Sequence, residues 1–268
     1  SAGILSAAHP SALGSTVAGT VISNGASLGL SGNIALAAEA ISAVGSGVGG
    51  LGAIRNLSGN NSVAGAVTMQ LAQQLRTPLT TATSSYSQGG FTPAALIDNN
   101  FNLNSFGWAN SGNAGGSNAV FETGTNLNPA GIPTTIDFSI LSGGYGQHTI
   151  GRFKIYATTD DRSLFADGVI NGGDVTANWI DITPAIVTSA NGATLTILGD
   201  NTVRASGASP ESDTYTIRAV TSLANITGFR LETIKDASFP SSGPGRAANG
   251  NYVIVEFSAS VASELTIG

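Results

Sequence analysis

Polar and apolar residues alternate over many short segments in the second half of this chain. In TIGRFKIYAT (149–158), Lys154 separates the apolar Phe153 and Ile155, and Arg152 precedes them. Alternation with a period of two is typical of strands that bury one face. Further strands are predicted at 119–123, 134–141, 179–184, 194–198, 202–206, 214–220, 226–234 and 251–260. Many short strands without a long helix predict an antiparallel β-sandwich.

The last of these segments, NYVIVEFSAS (251–260), is apolar on both faces. Uninterrupted alternation places Ile254 and Glu256 on one face of this strand, and Val255 and Phe257 on the other.

The first half of the chain has a different rhythm. Short apolar runs such as TVAGTVI, ASLGLS, GNIALAA, GAIRNLS and SVAGAVTMQL recur, and Gly or Asn-Gly separates them. Small aliphatic side chains without aromatics favour the thin core of a β-solenoid, in which short strands stack in successive turns. At roughly 20–25 residues a turn, about three or four turns are predicted. A small antiparallel sandwich is the alternative that this pattern leaves open.

Composition changes sharply between the two halves. All 17 aromatic residues lie at or after Tyr86, and residues 1–80 hold only three charged residues. The turn-rich segment TPLTTATSSYSQGG lies where the composition changes. We therefore divide the chain into a β-solenoid or strand-repeat region, 1–80, and a β-sandwich, 81–268. The predicted fold class is all-β.

Charge and composition argue against several classes of partner. The 268 residues carry a net charge of −6, with a pI near 4.7, and include no cysteine. A chain without a basic patch has nothing to neutralise phosphates, so nucleic acid is not an expected partner. Residues 1–38 are uncharged but contain no run of about 18 apolar residues, so membrane insertion is not expected.

The segment GLGAIRNLSGNNSVAGAVTMQL (50–71) resembles the autotransporter-associated strand repeat of bacterial surface proteins, and a looser resemblance covers 15–75. The resemblance implies a β-helix with an SGNN turn between apolar strands. It also implies an extracellular or cell-surface location after removal of a signal peptide. No charged cap stands at either end of this half, and unprotected strand edges favour pairing with another copy.

Residues 81–262 resemble the discoidin-like, or galactose-binding-like, jelly-roll family. The matching segments, in the order that the family shows, are AALIDNNFNLNSFGWAN, AVFETGTNL, GGYGQHTIGRFKIYATTDDRSLFADGVINGGDVTANWIDITP, ITGFRLETI and GPGRAANGNYVIVEFSAS. The resemblance implies a jelly roll with its function in the loops. It also implies two kinds of ligand, a structural calcium ion and a carbohydrate.

For calcium, the family sets an Asp loop against a Glu of the last strand. The matching ligands are Asp98 and Glu256, with Asn100 and Ser105 as further oxygen donors. Calcium takes several carboxylate, amide and backbone oxygens. The loop is longer than usual and rich in Asn, so a turn whose side chains bond their own backbone is the alternative.

A second acidic segment, DGVINGGD (167–174), overlaps part of an EF-hand-like calcium loop. Phe165 stands where such a loop needs a ligand, and the flanking residues predict strands rather than helices. We interpret this segment as a surface loop.

Carbohydrate binding on a sandwich usually needs exposed aromatic rings and polar side chains on loops. The candidates are Phe106, Tyr145, Phe239 and Arg246. Aromatic residues of a jelly roll also build its core, so a core role is the alternative for each ring.

His148, in YGQHTIGRF, is one of two histidines in the chain. A histidine beside Gly and Gln is more often structural than catalytic, and we interpret it as a residue that opens a central strand. The sequence has no HExxH, P-loop or GxSxG motif. No catalytic residue is assigned, and the chain is not expected to be an enzyme.

Two functions follow as hypotheses. The first is a non-enzymatic extracellular bacterial structural protein that assembles with itself into a fibre, sheath or surface array. The second is a carbohydrate-binding adhesin module of a secreted or surface protein. Self-association and glycans are the expected partners, and calcium is the expected cofactor.

Overall fold

The computed structural model describes residues 3–17, 19–23, 25–45, 47–48, 51–70, 74–111, 115–167 and 174–262. These residues form strands, turns and short 3₁₀ helices, which confirms the all-β prediction. The chain divides into two compact units, Ser1–Leu75 with Ala262–Gly268, and Arg76–Val261. No described helix is long and apolar enough to cross a membrane.

The first unit is a short solenoid of parallel strands. Successive turns contribute to three sheets, ordered β1-β3-β6, β2-β5-β8 and β4-β7, and every pairing is parallel. Parallel pairing excludes the antiparallel sandwich that the sequence pattern left open. The strands are β1 (Ile4–Ala7), β2 (Thr20–Ile22), β3 (Ser27–Ser31), β4 (Ala35–Leu36), β5 (Ile41–Val44), β6 (Ile54–Ser58), β7 (Ser62–Val63) and β8 (Val67–Gln70).

Asparagine turns and small aliphatic residues hold the solenoid turns in register. The Asn33 side-chain oxygen accepts the Asn60 backbone N–H at 2.8 Å, and the Asn61 side-chain oxygen accepts the Ile34 N–H at 2.8 Å. These bonds connect the SGN turns of consecutive solenoid turns. The core between the sheets is made of Ala7, Ile22, Leu28, Leu30, Ile34, Leu36, Ile41, Ala43 and Ala53.

The second unit is a sandwich of two antiparallel sheets, as predicted. Strand β9 (Gln74–Arg76) precedes it along the chain. The first sheet has the order β10 (Leu79–Ser84), β12 (Asn118–Leu127), β20 (Ile226–Thr233), β14 (Arg152–Thr158), β18 (Val203–Gly207), β17 (Ala193–Ile197), with β15 (Ile180–Asp181) beside β14. The second has the order β11 (Trp108–Ala109), β21 (Val253–Ala262), β13 (Thr134–Gly143), β19 (Ser212–Thr221), β16 (Pro184–Ser189). The 3₁₀ helices are Pro93–Leu96, Arg162–Leu164 and Pro240–Ser242.

Aromatic rings join the two sheets across the core. Phe121 of the first sheet stacks on Phe257 of the second, with ring centroids 4.5 Å apart. Phe138 of the second sheet meets Phe229 of the first edge to face at 5.0 Å. Such pairs add about 0.5–1.5 kcal/mol to the burial of their area. Aromatic residues, which the first half of the chain lacks, therefore stabilise the core of the second half.

One strand departs from the alternation in the sequence. The register of β21 against β13 shifts between Leu141, which faces Glu256, and Ser142, which faces Ile254. This β-bulge adds one residue, so Ile254 and Phe257 both enter the inter-sheet core. The expectation that they lie on opposite faces was wrong, because a bulge resets the period of two.

Candidate functional site

Loops from four parts of the sandwich sequence surround a cleft of about 330 Å³. We call it the aromatic cleft. The loops precede β11, follow β11, join β13 to β14, and precede β21. The cleft is lined by Gln88, Phe91, Ser111, Tyr145, His148, Asn249, Asn251 and Val253.

Two of the lining residues, Phe91 and Tyr145, belong to a cluster of three rings, and the third ring, Phe106, packs against Phe91 outside the lining. Phe91 meets Phe106 edge to face at 5.1 Å and Tyr145 at 5.8 Å. Phe106 is 63% exposed and Tyr145 is 46% exposed, so both rings present area to solvent. Two of the aromatic candidates from the sequence thus come together, and Phe91, which the sequence did not single out, joins them.

The loop that carries Tyr145 is held in an unusual backbone conformation. Residues 143–147 all have positive φ, including the non-glycine residues Tyr145 (φ 53°) and Gln147 (φ 60°). Positive φ is costly for side chains larger than glycine, and such strain persists only where surroundings fix it. Here the Tyr145 hydroxyl donates to the Ser105 carbonyl at 3.2 Å, and Glu211 accepts the Gly146 N–H at 2.9 Å. The loop therefore presents the Tyr145 ring in a fixed position.

Amide side chains form the floor of the cleft. Asn251, 4% exposed, donates from its side-chain nitrogen to the Gln88 side-chain oxygen at 3.0 Å. Its own side-chain oxygen accepts the Asn110 backbone N–H at 3.2 Å. The Asn249 side chain accepts the Asn251 N–H at 3.0 Å. Because Gln88 uses its oxygen toward Asn251, its amide nitrogen is oriented as a donor at the cleft.

His148 lies in the turn before β14, not at the start of a strand. The strand begins at Arg152, and the His148 carbonyl accepts the Val253 N–H at 2.9 Å. The imidazole Nδ1 is 3.1 Å from the Gly146 carbonyl. A donor role toward that carbonyl leaves Nε2 as an acceptor. The structure thus gives His148 both a structural contact and a place in the cleft lining.

No carboxylate, lysine or arginine side chain lines the aromatic cleft in the described part of the chain. Its polar groups are amides, an imidazole and a hydroxyl, and its apolar groups are rings and Val253. Uncharged donors and acceptors beside aromatic rings suit a small neutral ligand that has both hydroxyl groups and an apolar face.

The other two carbohydrate candidates line a separate cleft of about 380 Å³, which we call the arginine cleft. It contains Phe239 and Arg246, with Arg204, Ser206 and Ser209 among its other residues. The sequence predicts one set of four carbohydrate ligands, but the structure separates them: Tyr145 lines the aromatic cleft, Phe106 packs beside that cleft on Phe91, and Phe239 and Arg246 line the arginine cleft.

Asp98 and Glu256, two of the predicted calcium ligands, lie close enough to interact. The Asp98 charge acts on the Glu256 carboxyl, whose pKa is raised mainly by burial and is lowered in turn by Arg76. Arg76 Nη1 is 3.3 Å from Glu256 Oε1 and 2.6 Å from the Asn99 side-chain oxygen. Glu256 Oε2 is buried without a hydrogen-bond partner among the described residues. A guanidinium therefore already supplies positive charge at this carboxylate.

The other two predicted ligands turn toward their own loop. Asp98 Oδ1 accepts the Asn100 N–H at 2.8 Å, and Asn100 Oδ1 accepts the Asn102 N–H at 3.1 Å. The Ser105 hydroxyl donates to the Asn102 carbonyl at 2.6 Å. These bonds are the Asn-rich turn that the sequence offered as the alternative.

The donor set therefore fits a calcium ion poorly. Calcium takes six to eight oxygens, whereas the side chains here are shared with backbone groups and with Arg76. No group of three or more His, Cys, Asp or Glu side chains in the described residues is arranged to hold a metal.

Most of the second acidic segment, residues 168–173, lies outside the described residues. Its last residue, Asp174, accepts the Thr176 N–H at 2.8 Å and the Thr176 hydroxyl at 2.6 Å, and these bonds lower its pKa. The Asp174 carboxylate therefore stabilises the turn to Thr176.

Comparison with known proteins does not assign a family. No protein-family model matches the chain. No curated protein matches it. Among solved structures, a chain from work on the Streptococcus pneumoniae β-galactosidase BgaA aligns with a TM-score of 0.42 and 11% identity. The alignment covers 71% of this chain and 99% of that one.

Proposed function

We propose that the sandwich unit, 76–261, is a non-enzymatic carbohydrate-binding module of a secreted or cell-surface bacterial protein. The aromatic cleft carries this proposal, because it combines exposed, rigidly held rings with converging amide groups. The same chemistry recognises a sugar, which has an apolar face of C–H groups and a rim of hydroxyls.

Each wall of the cleft has a part in this binding. The rings of Tyr145 and Phe91, which line the cleft, pack against the apolar face of the sugar, and the Phe106 ring supports Phe91 from outside the lining. The Gln88 amide nitrogen donates to one hydroxyl, and His148 Nε2 accepts from another. Since Asn251 fixes Gln88 and the Gly146 carbonyl fixes His148, little side-chain entropy is lost on binding.

The charge of the cleft favours a neutral sugar at this position. A ligand carboxylate here would lose its hydration without meeting a cationic side chain of the described lining. The absence of a carboxylate pair from the described lining also favours binding over hydrolysis, because glycosidases use two carboxylates about 5–10 Å apart.

A glycan array followed by calorimetric titration of the best neutral glycan tests the proposal. Tyr145→Ala is expected to weaken binding by about tenfold or more, through loss of ring contact, and Phe106→Ala by less, because Phe106 only supports Phe91. Phe101→Ala is the matched control, because Phe101 is an exposed ring that contacts Arg76 and lines neither cleft. Equal losses in Tyr145→Ala and Phe101→Ala, or no neutral glycan bound, would contradict the proposal.

A further inference from the structure

The arginine cleft concentrates positive charge on an acidic chain. Arg204 and Arg246 line it, and no acidic residue belongs to its described lining. The chain as a whole carries a net charge of −6. A cationic cleft on such a chain attracts anions locally, although the whole molecule repels them.

The strand register places a second arginine beside Arg204. Arg152 of β14 lies directly opposite Arg204 of β18, and like charges in opposed positions destabilise a sheet. Arg152 is held by Asp200 at 2.7 Å and by Asp236 at 3.5 Å. Arg204 interacts with Asp236 only through its charge. The pKa of Asp236 is lowered mainly by hydrogen bonds from Ser238, and further by the charges of Arg152 and Arg204.

Arg204 is therefore the cation of this cleft that internal partners satisfy least. No salt bridge or side-chain hydrogen bond among the described residues involves its guanidinium. Its five N–H donors, in a fork that matches a carboxylate or sulfate, can therefore serve a ligand.

The other walls of the cleft are rigid. Arg246 donates to the Ala208 carbonyl at 2.7 Å and to the Gly207 carbonyl at 2.8 Å, so its guanidinium is fixed while other N–H groups stay available. The Phe239 ring packs over Gly151, where even a Cβ atom would lie 2.6 Å from the ring. The Ser209 hydroxyl is buried without a hydrogen-bond partner among the described residues. A rigid cationic wall with a spare hydroxyl is preorganised for an anionic group.

We propose that the arginine cleft is a subsite for the carboxylate or sulfate of an acidic glycan. The inference rests on the proposed function, since the same short segments bound both clefts. Gln147, next to His148, donates to the Ser209 carbonyl at 2.8 Å, and Arg246 is three positions before Asn249. The aromatic cleft then takes a neutral residue of the glycan, and the arginine cleft takes its charged group.

Calorimetric titration of the full chain with a neutral galactose disaccharide, and with the same disaccharide carrying a carboxylate or a 6-sulfate on one residue, tests the subsite. Both acidic sugars are expected to bind more tightly than the neutral galactose disaccharide, because they add a charged group for the arginine cleft. Arg204→Gln is expected to weaken acidic-sugar binding by about tenfold or more, because charge-assisted hydrogen bonds are lost. Lys235→Gln is the control, since it removes the same charge from an exposed residue that lines neither cleft.

Arg204→Lys separates recognition from a folding defect. It keeps the charge but loses the planar fork, so an affinity between those of the wild type and Arg204→Gln is expected. Acidic sugars that bind no tighter than the neutral galactose disaccharide would overturn the subsite, as would equal losses in Arg204→Gln and Lys235→Gln. If the subsite fails but the neutral galactose disaccharide still binds, and Tyr145→Ala abolishes that binding, the proposed function is supported. Acidic-sugar binding that depends on Arg204 without any neutral-sugar binding would support the subsite and contradict the neutral site.

Discussion

At the scale of single residues, Arg76 is the clearest example of a charge that the fold requires. Its partner, Glu256, is 3% exposed, and burial of a carboxylate is costly unless a positive charge compensates it. The raised pKa of Glu256 indicates that burial outweighs the attraction of Arg76. The folded protein therefore binds a proton at Glu256 more readily than the unfolded chain does.

The sign of this linkage sets a prediction for Arg76→Gln. The stability that Glu256 contributes to the folded state is fully present below the pKa that Glu256 has in the unfolded chain. This stability is lost as pH rises through the raised pKa of the folded state. At neutral pH we expect Arg76→Gln to lower the free energy of unfolding by about 2 kcal/mol, because it leaves a buried charge unpaired. The loss should shrink as pH falls through the folded pKa of Glu256. Urea unfolding at several pH values measures it, and a pH-independent loss would contradict the argument.

Glu256→Gln is the matched control for this pair, because it removes the charge and keeps the volume. It should cost less at neutral pH than Arg76→Gln. The same two variants test calcium, which the sequence predicts at Glu256. Because the loop oxygens are used by backbone groups, we expect calcium to leave the melting temperatures of the wild type and of Arg76→Gln unchanged. A calcium-dependent rise that Glu256→Gln abolishes would contradict this.

At the scale of elements, the loop 143–147 determines where the Tyr145 ring stands. Gly144 has φ +69°, and a Cβ there would lie 2.3 Å from the Leu103 carbonyl oxygen. Gly146 has a similar φ of +79° but open space around its Cβ position. The two glycines therefore separate backbone strain from steric displacement.

Gly144→Ala should displace the loop, whereas Gly146→Ala should only strain it. We expect both to cost about 1 kcal/mol or more of stability, because both place alanine at positive φ. Glycan affinity should fall about tenfold in Gly144→Ala and stay within about twofold in Gly146→Ala. Calorimetry of both variants with the same glycan measures this. Equal affinities would show that the loop conformation does not position Tyr145.

The same elements show what the sequence can and cannot predict. Alternation located β14 and β19 because each buries every second residue against the core, and period two follows from the backbone. The bulge in β21 leaves no local signal, since it depends on the register against β13. Short strands such as β11, with two residues, are also too brief for periodicity.

The candidate site was less accessible to sequence reasoning than the strands were. Phe106 and Tyr145 stood out as loop aromatics, but Gln88 and Asn251 meet only because the fold joins positions 163 residues apart. Neither amide belongs to a local motif. Alternating polarity encodes which residues are buried, whereas a binding cleft depends on which loops become neighbours.

At the scale of the whole molecule, the absence of aromatics from the first half and their abundance in the second correspond to two kinds of core. Stacked solenoid turns leave room for Ala, Leu and Ile, whereas the sandwich needs rings to span two sheets. The solenoid has its own vulnerability, since the outward edges of β6 and β8 have no partner strand among the described residues.

If copies of the chain assemble, we expect these strand edges to form the contact. Unpaired strand edges pair with other copies unless charge or bulk protects them, and Arg55 is the one charged residue on β6. Leu57, 42% exposed on the same strand, adds apolar area. If the edge mediates association, light scattering should show a mass that rises above 26.7 kDa with concentration. Leu57→Lys should suppress that rise by adding charge to the edge, whereas Val17→Lys, at an exposed position outside the strands, should not. A mass of one chain at every concentration would contradict assembly and leave the carbohydrate-binding proposal unaffected, because the two predictions rest on different units.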